Sequence, residues 1–174
     1  QAGEDSPFFL WVHYFDPHLP YQSPLQSQSE FAGRPYDAEI AYMDDCIGSV
    51  VHAVADHGLS DRTAFVLVGD HGEGLMDHGE ATHAILTYNS TIRVPLIVAI
   101  PWLEPARERV RTHVSTIDIL PTVAEAFNLE AGDATFHGRS LLPLISDPGG
   151  GESWPDDRPL YFESLFGYSH FGWG

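Results

Sequence analysis

Two uninterrupted apolar runs constrain this chain most. Thr63-Ala64-Phe65-Val66-Leu67-Val68-Gly69 and Val94-Pro95-Leu96-Ile97-Val98-Ala99-Ile100 are short, rich in branched side chains and bounded by turn residues. A strand with one solvated face alternates apolar and polar residues, whereas a strand that does not alternate is buried on both faces. Such a sheet needs a layer on each side, and helices supply it. Residues 7–15, PFFLWVHYF, read as a further buried strand that stops at Asp16-Pro17, and Leu160-Tyr161-Phe162 as a short fourth one. Between them Ile40, Met43, Ile47, Val50, Val51 and Val54 recur at helical spacing, with Asp37 as the N-cap and Gly58 closing the helix after His57. Residues 116–128 predict a short helix with a proline near its start. The expected class is therefore α/β, a mixed and mostly parallel sheet flanked by helices.

Ligands of such sheets sit beyond the carboxyl ends of the strands. Two places qualify. His13 to His18 closes the first run, and Asp70-His71 closes the second. The second opens DHGEGLMDHGEATH, residues 70–83, which holds three histidines and four carboxylates in fourteen positions. A carboxylate and an imidazole leaving a strand together are a normal ligand pair for a divalent ion. Gly72 then lets the backbone turn beside it. The competing assignment is a helix-capping aspartate followed by a packed histidine. Two ligands are also fewer than a catalytic site needs. Glu73, Asp77 and Glu80 read as solvated loop carboxylates, and His78 as structural or solvated. His78 and His83 lack the i, i+4 spacing of a helical zinc pair, and no HExxH, GxSxG, P-loop or GxGxxG is present.

Composition excludes several partners. The net charge is −17, from 25 acids against 8 arginines with no lysine, so a nucleic-acid backbone would be repelled. An anionic substrate needs a metal, arginines or histidines to reverse the field locally. The apolar runs are too short to cross a membrane, and no basic n-region followed by an apolar h-region opens the chain. Cys46 is the lone cysteine, which excludes an internal disulfide; it falls within the helical pattern as a structural thiol.

Taken in order, several blocks resemble the sulfatase family of the alkaline phosphatase superfamily. PFFLWVHYFDPHLPY is similar to the family's strand and Pro-His-x-Pro turn. YDAEIAYMDDCIGSVVHAVADHGLSDRTAFVLVGDHGEGLMDHG is similar to its long helix, strand and metal turn. STIRVPLIVAIP, STIDILPTVAEAFNLEAGDATFHGRSLLPLI and YFESLFGYSHFGWG follow in the family's order. The resemblance implies an alkaline phosphatase-like fold, present as an incomplete fragment. Residues 1–145 would be the C-terminal part of the catalytic domain. Residues 146–174 would be a linker-like stretch, SDPGGGESWPDDR, and the start of a C-terminal segment. The ending HFGWG shows neither cap nor polar tail, as expected of a chain cut short.

By the same resemblance, Asp70 and His71 fall on metal ligands, calcium first, with magnesium, manganese or zinc as alternatives. His18 and His83 fall on residues that contact the sulfate or phosphate oxygens, His83 where many sulfatases carry a lysine. His13 stays open between a site and a strand position, and Arg93 fixes its loop. The family's nucleophile is a formylglycine made within C/S-x-P-x-R. Cys46 is followed by Ile47-Gly48-Ser49-Val50, Ser23-Pro24 lacks the arginine, and Asp44-Asp45 lies in a helix pattern. The expectation is thus a metal-dependent sulfuric ester hydrolase portion, inactive alone and prone to self-association at an unpaired sheet edge. Two alternatives stand: a phosphonate or phosphodiester hydrolase or phosphoethanolamine transferase of the same superfamily, and a non-catalytic interaction domain with this fold.

Overall fold

A computed structural model describes residues 6–25, 27–105, 109–130, 132, 135–147, 154 and 158–172. The chain divides into two units, Gln1–Leu59 and Ser60–Gly174, each taken by itself.

The first unit is organised by helix α1, Pro35–Asp56. It starts two residues before the expected N-cap. Pro35 occupies the first helical position, where its missing N–H costs nothing and its fixed φ suits the helix. Asp37 therefore lies inside the first turn, its carboxylate 3.1 Å from the Arg34 guanidinium at the N-cap. A negative charge there also opposes the positive end of the helix dipole. The C-terminus ends as expected. Gly58 adopts φ +67, its N–H bonds Ala55 O at 2.8 Å, and Leu59 N–H reaches back to Val54 O at 3.0 Å. That is a Schellman closure, and it requires a residue that tolerates the left-handed region.

Residues 7–15 do not form the expected strand. Phe9 is 83 % exposed and Trp11 79 %. Strand structure needs a neighbouring backbone to take up N–H and C=O groups, and this segment pairs with none among the described residues. Its apolar content marks a surface made for burial, which is a different property from strand pairing. Phe8 and Leu10 do line an open apolar groove with Val50, Ala53, Val54 and Leu59.

In the second unit, β1 (Phe65–Val68) and β2 (Leu96–Ala99) pair antiparallel, Phe65 opposite Ala99 and Val68 opposite Leu96. The parallel neighbours expected of the full sheet are absent among the described residues. Burial along both strands accordingly alternates, and Ile97 is largely exposed. Leu160–Phe162, read as a fourth strand, is irregular. Between the strands lies the short helix α2, Asn89–Ile92. A 3₁₀ turn at Thr116–Asp118 leads into α3, Ile119–Ala126; α4, Leu142–Ser146, and α5, Phe166–Phe171, follow. Gly172, at φ +64, caps α5, so the ending does carry a cap signal.

The core of this unit is Leu141, Leu144 and Trp154, with Leu96, Val110, Val114 and Ile145 packed around it. A fully buried carboxylate, Asp118, stands in the same unit. It accepts the backbone N–H of Ser115 and of Arg139, each at 2.8 Å, and pairs with the Arg158 guanidinium through both oxygens, at 2.7 and 2.5 Å. Thr122 adds a further link: its hydroxyl donates to Asp118 O and accepts from Leu141 N–H. Burial pushes the Asp118 carboxyl upward, but Arg158 and the two backbone donors outweigh it and hold it below its ordinary value. Most of the linker-like stretch lies outside the described residues. Trp154 and Arg158, within and at the end of it, are described, and the Arg158 guanidinium lies 5.0 Å from the Trp154 ring centre.

Candidate active site

Gly69 leads from β1 into the loop that carries Asp70, His71 and His83. Its folding is forced by close backbone approach. Gly72 donates to Thr91 O at 2.8 Å, and a Cβ on it would stand 2.1 Å from Ser90 O. Gly74 donates to Thr82 O at 2.5 Å, and a Cβ there would meet the carbonyls of Glu80 and Thr82 at 2.5 and 2.6 Å. Only glycine allows these contacts. They fold 70–83 back on itself and bring its two ends together. The hairpin tip holds Leu75, Met76 and His78 at positive φ, a conformation that L-residues keep only when the surroundings impose it. Here Met76 N–H bonds Glu80 O and Asp77 N–H bonds Gly74 O.

The turn is secured from within by Glu80. Its buried carboxylate accepts the N–H of Ile85 at 2.7 Å and of Leu86 at 3.1 Å. Thr91, also buried, donates its hydroxyl to Leu86 O at 2.7 Å. Glu80 is therefore not the solvated carboxylate expected. Neither is Glu73, whose side chain is only 5 % exposed and lies 3.3 Å from Nδ1 of His83. Loop composition suggested solvation; the hairpin's own backbone donors, and a facing imidazole, provide the partners that make burial affordable for a charge. Asp77 is exposed and pairs with His78 at 3.1 Å; the His78 ring stacks on Tyr88 at 3.6 Å.

Three of the four anticipated site residues meet here. The His71 and His83 rings stack with centres 4.0 Å apart. His71 Nε2 lies 3.7 Å from Asp70 Oδ2. His71 Nδ1 is 2.9 Å from Gly72 O, a carbonyl that can only accept, so in the neutral ring Nδ1 carries the proton and Nε2 the lone pair. An imidazole so fixed by its far nitrogen is prepared as a metal ligand. Asp70 faces the same region, 76 % exposed, with its other oxygen accepting the His71 N–H at 2.9 Å. The pair fits a divalent ion as part of a ligand set. Among the described residues no group of three or more His, Cys, Asp or Glu side chains could hold one.

His18 stands in the first unit, on the PHLPY turn. Its N–H donates to Glu39 Oε2 at 2.9 Å, and Gln22 N–H donates to Glu39 Oε1 at 2.6 Å. Ser23 adds a hydroxyl bond to Ala38 O at 2.8 Å. The turn is thus clamped to the first turns of α1 by a buried carboxylate. His18 Nδ1 points to Leu19 O at 2.7 Å, and its ring lies 4.3 Å from that of Phe15. Sequence reasoning overlooked Glu39, though a signal existed. Glu39 stands four residues before Met43 and eight before Ile47, on the apolar stripe of the helix, where a carboxylate needs a reason. His13 is exposed, and Cys46 is a free thiol in α1.

Comparison with known proteins identifies the frame. The sulfatase family profile matches residues 1–129. Arylsulfatase K from Xenopus laevis is 32 % identical over 111 residues, covering 64 % of this chain and 20 % of that protein. Human arylsulfatase A is 29 % identical over 161 residues, covering 84 % and 30 %. Among solved structures, the phosphonate monoester hydrolase SpPMH from Silicibacter pomeroyi superposes with a TM-score of 0.62 at 25 % identity, over 80 % of this chain and 28 % of that one. The chain thus spans between a fifth and a third of the length of these relatives. Its fold is that part of the alkaline phosphatase-like α/β architecture, and the chain belongs to the sulfatase family.

Proposed function

We propose that this chain contributes one part of the active site of a metal-dependent sulfuric ester hydrolase. The observation that carries the reading is the convergence of Asp70, His71 and His83 at the two ends of one glycine-folded hairpin, within a sulfatase-family sequence. Asp70 and His71 are the proposed metal donors, His71 through Nε2. A divalent ion, calcium first or else magnesium, manganese or zinc, supplies Lewis-acid polarisation of the ester oxygens when bound, and a formylglycine supplies the nucleophile. His83 and His18 hold the anionic group by charge-assisted hydrogen bonds and pass a proton to the departing alcohol oxygen. The chain's surplus of acids makes cationic partners for an anionic substrate the more necessary, and the family resemblance assigns that role to the imidazoles of His83 and His18.

A second reading has its own support. The structural neighbour named above is a phosphonate monoester hydrolase, so a phosphonate or phosphodiester hydrolase, or a phosphoethanolamine transferase, is the alternative. One preparation separates the two. The polypeptide that bears this chain, purified from its native host, is assayed side by side on an aryl sulfate and an aryl phosphonate monoester, and peptide mass mapping locates any formylglycine. Faster sulfate hydrolysis with formylglycine present supports the first reading; faster phosphonate hydrolysis, or an unmodified threonine as nucleophile, supports the second. The 174-residue chain alone, which has no C/S-x-P-x-R, is expected to show no turnover above buffer. Aryl sulfate hydrolysis by it would overturn this assignment of roles.

A further inference from the structure

Glu73 has a use that neither metal binding nor solvation explains. It follows the Asp70-His71-Gly72 turn, yet its side chain is almost wholly buried and directed at His83, ten residues further on. The contact joins the two ends of the hairpin that the glycines fold back, so it exists only when the loop is closed. An imidazole in this position has two freedoms to lose: rotation about its side-chain bonds and the choice of which nitrogen carries the proton. Stacking on His71 restrains the first, with ring centres 4.0 Å apart and planes tilted by 30°. The second depends on what faces each nitrogen, since a carboxylate can only accept.

We propose that Glu73 is a positioning residue for His83. Its carboxylate accepts the Nδ1 proton at 3.3 Å and thereby fixes the imidazole in one orientation and one tautomer. With Nδ1 committed to Glu73, whatever His83 delivers to a bound oxyanion passes through Nε2. His71 is fixed in the same sense by Gly72 O. The two stacked rings are therefore both held by their Nδ1 atoms, one by a backbone carbonyl and one by a buried carboxylate. His71 can therefore offer an Nε2 lone pair, whereas His83 offers an Nε2 proton only as the imidazolium, with its Nδ1–H still on Glu73. The inference rests on the reading that His83 faces the anion, but its own claim concerns the ring and can be tested without turnover.

The test is a long-range ¹H–¹⁵N correlation spectrum of the histidine rings in the 174-residue chain, at a pH where the imidazoles are neutral, with His83 assigned by loss of its signals in His83→Asn. The expected result is an Nδ1–H tautomer for His83 in the wild type and in Glu73→Gln, whose amide oxygen remains an acceptor, and a mixture of tautomers in Glu73→Ala. The stacked His78 ring reports on the loop: its ring-current shift from Tyr88 persists while the hairpin is folded. An Nε2–H tautomer in the wild type, or an unchanged His83 spectrum in a folded Glu73→Ala, overturns the proposal. Should Glu73→Ala lose the His78 signature, Glu73→Gln decides: retention of Nδ1–H supports the proposal and its loss overturns it. A parallel titration with inorganic sulfate, at a pH where the imidazole carries both protons, tests the underlying reading separately. A shift of His83 Nε2 on adding sulfate supports anion contact, and its absence refutes that contact while leaving the tautomer result to stand.

Discussion

The same device, a buried carboxylate that accepts backbone N–H groups, is used in both units, on different foundations. In the first unit Glu39 reaches from helix α1 to His18 and Gln22, 21 and 17 residues away. The buried residues there are Ser23, Ala38 and Glu39, and no apolar cluster accompanies them among the described residues. In the second, Glu80 holds Ile85 and Leu86, five and six residues away, and Asp118 is locked to Arg158 in a unit that has its own core of Leu141, Leu144 and Trp154. A polar clamp without a core around it can be opened locally. A polar clamp in a packed unit is coupled to the fold. Within its own unit, the His18 turn is thus the more loosely held, and the His71–His83 hairpin is the firmer in its own.

That contrast can be broken most severely at Asp118. Arg158→Ala leaves a fully buried carboxylate facing two backbone donors and no cation. Removing one member of a buried pair costs about 3–5 kcal/mol, so the denaturant midpoint of the second unit should fall strongly while α1 keeps its helical signal. Next in size is Glu80→Ala, which strands the N–H groups of Ile85 and Leu86. Losing hydrogen bonds to a charged acceptor costs about 1.5–3 kcal/mol each. We expect rapid amide exchange at 85 and 86 and loss of the His78–Tyr88 stack, read by hydrogen exchange and ring-current shifts. Glu39→Ala should do less globally. Exchange at His18 and Gln22 rises, but the overall unfolding midpoint moves little, because the turn swings off α1 without exposing a core. A midpoint change as large as that of Arg158→Ala would show that the first unit is not the looser one.

Acid gives a milder and graded form of the same test. The folded Asp118 carboxyl lies below its ordinary value, so the unfolded chain takes up its proton first. The stability contributed by the pair is full above the unfolded value of about 3.9, and is lost as pH falls through that value toward the lower folded one. Urea midpoints measured between about pH 6 and about pH 3 should therefore drop more steeply for the wild type than for Asp118→Asn. Parallel curves for the two proteins would show that the pair carries no such linkage. The smallest expected effect is on metal. With two donors, binding of manganese or calcium to the 174-residue chain should be weak in calorimetry, and His71→Ala should abolish it.

Some of this was legible in the residues themselves. The positions of β1 and β2, the helix ending at His57-Gly58 and the helix after Ser115 follow from local patterns whose physics is local: period, capping and left-handed tolerance. The succession Asp70-His71-Gly72 sets two candidate donors side by side for the same reason, since adjacent residues stay adjacent however the chain folds. Helix α1 began early because Pro35 outcompeted Asp37 for the helix start, a contest decided within one turn. The sequence of apolar residues 7–15 could declare a need for burial but not provide the partner backbone that makes a strand.

What only the tertiary structure decided is the state of the carboxylates. Glu39, Glu73 and Glu80 look in sequence like any other of the 25 acids. Each is buried because particular N–H groups or an imidazole converge on it, and those come from residues between five and twenty-one positions away. Asp118 takes its cation from forty positions away. A charge leaves water only where such partners are already in place. Residue type can propose His71 as a site residue, and the family resemblance His83, but which nitrogen each ring offers depends on what the folded chain sets against the other one.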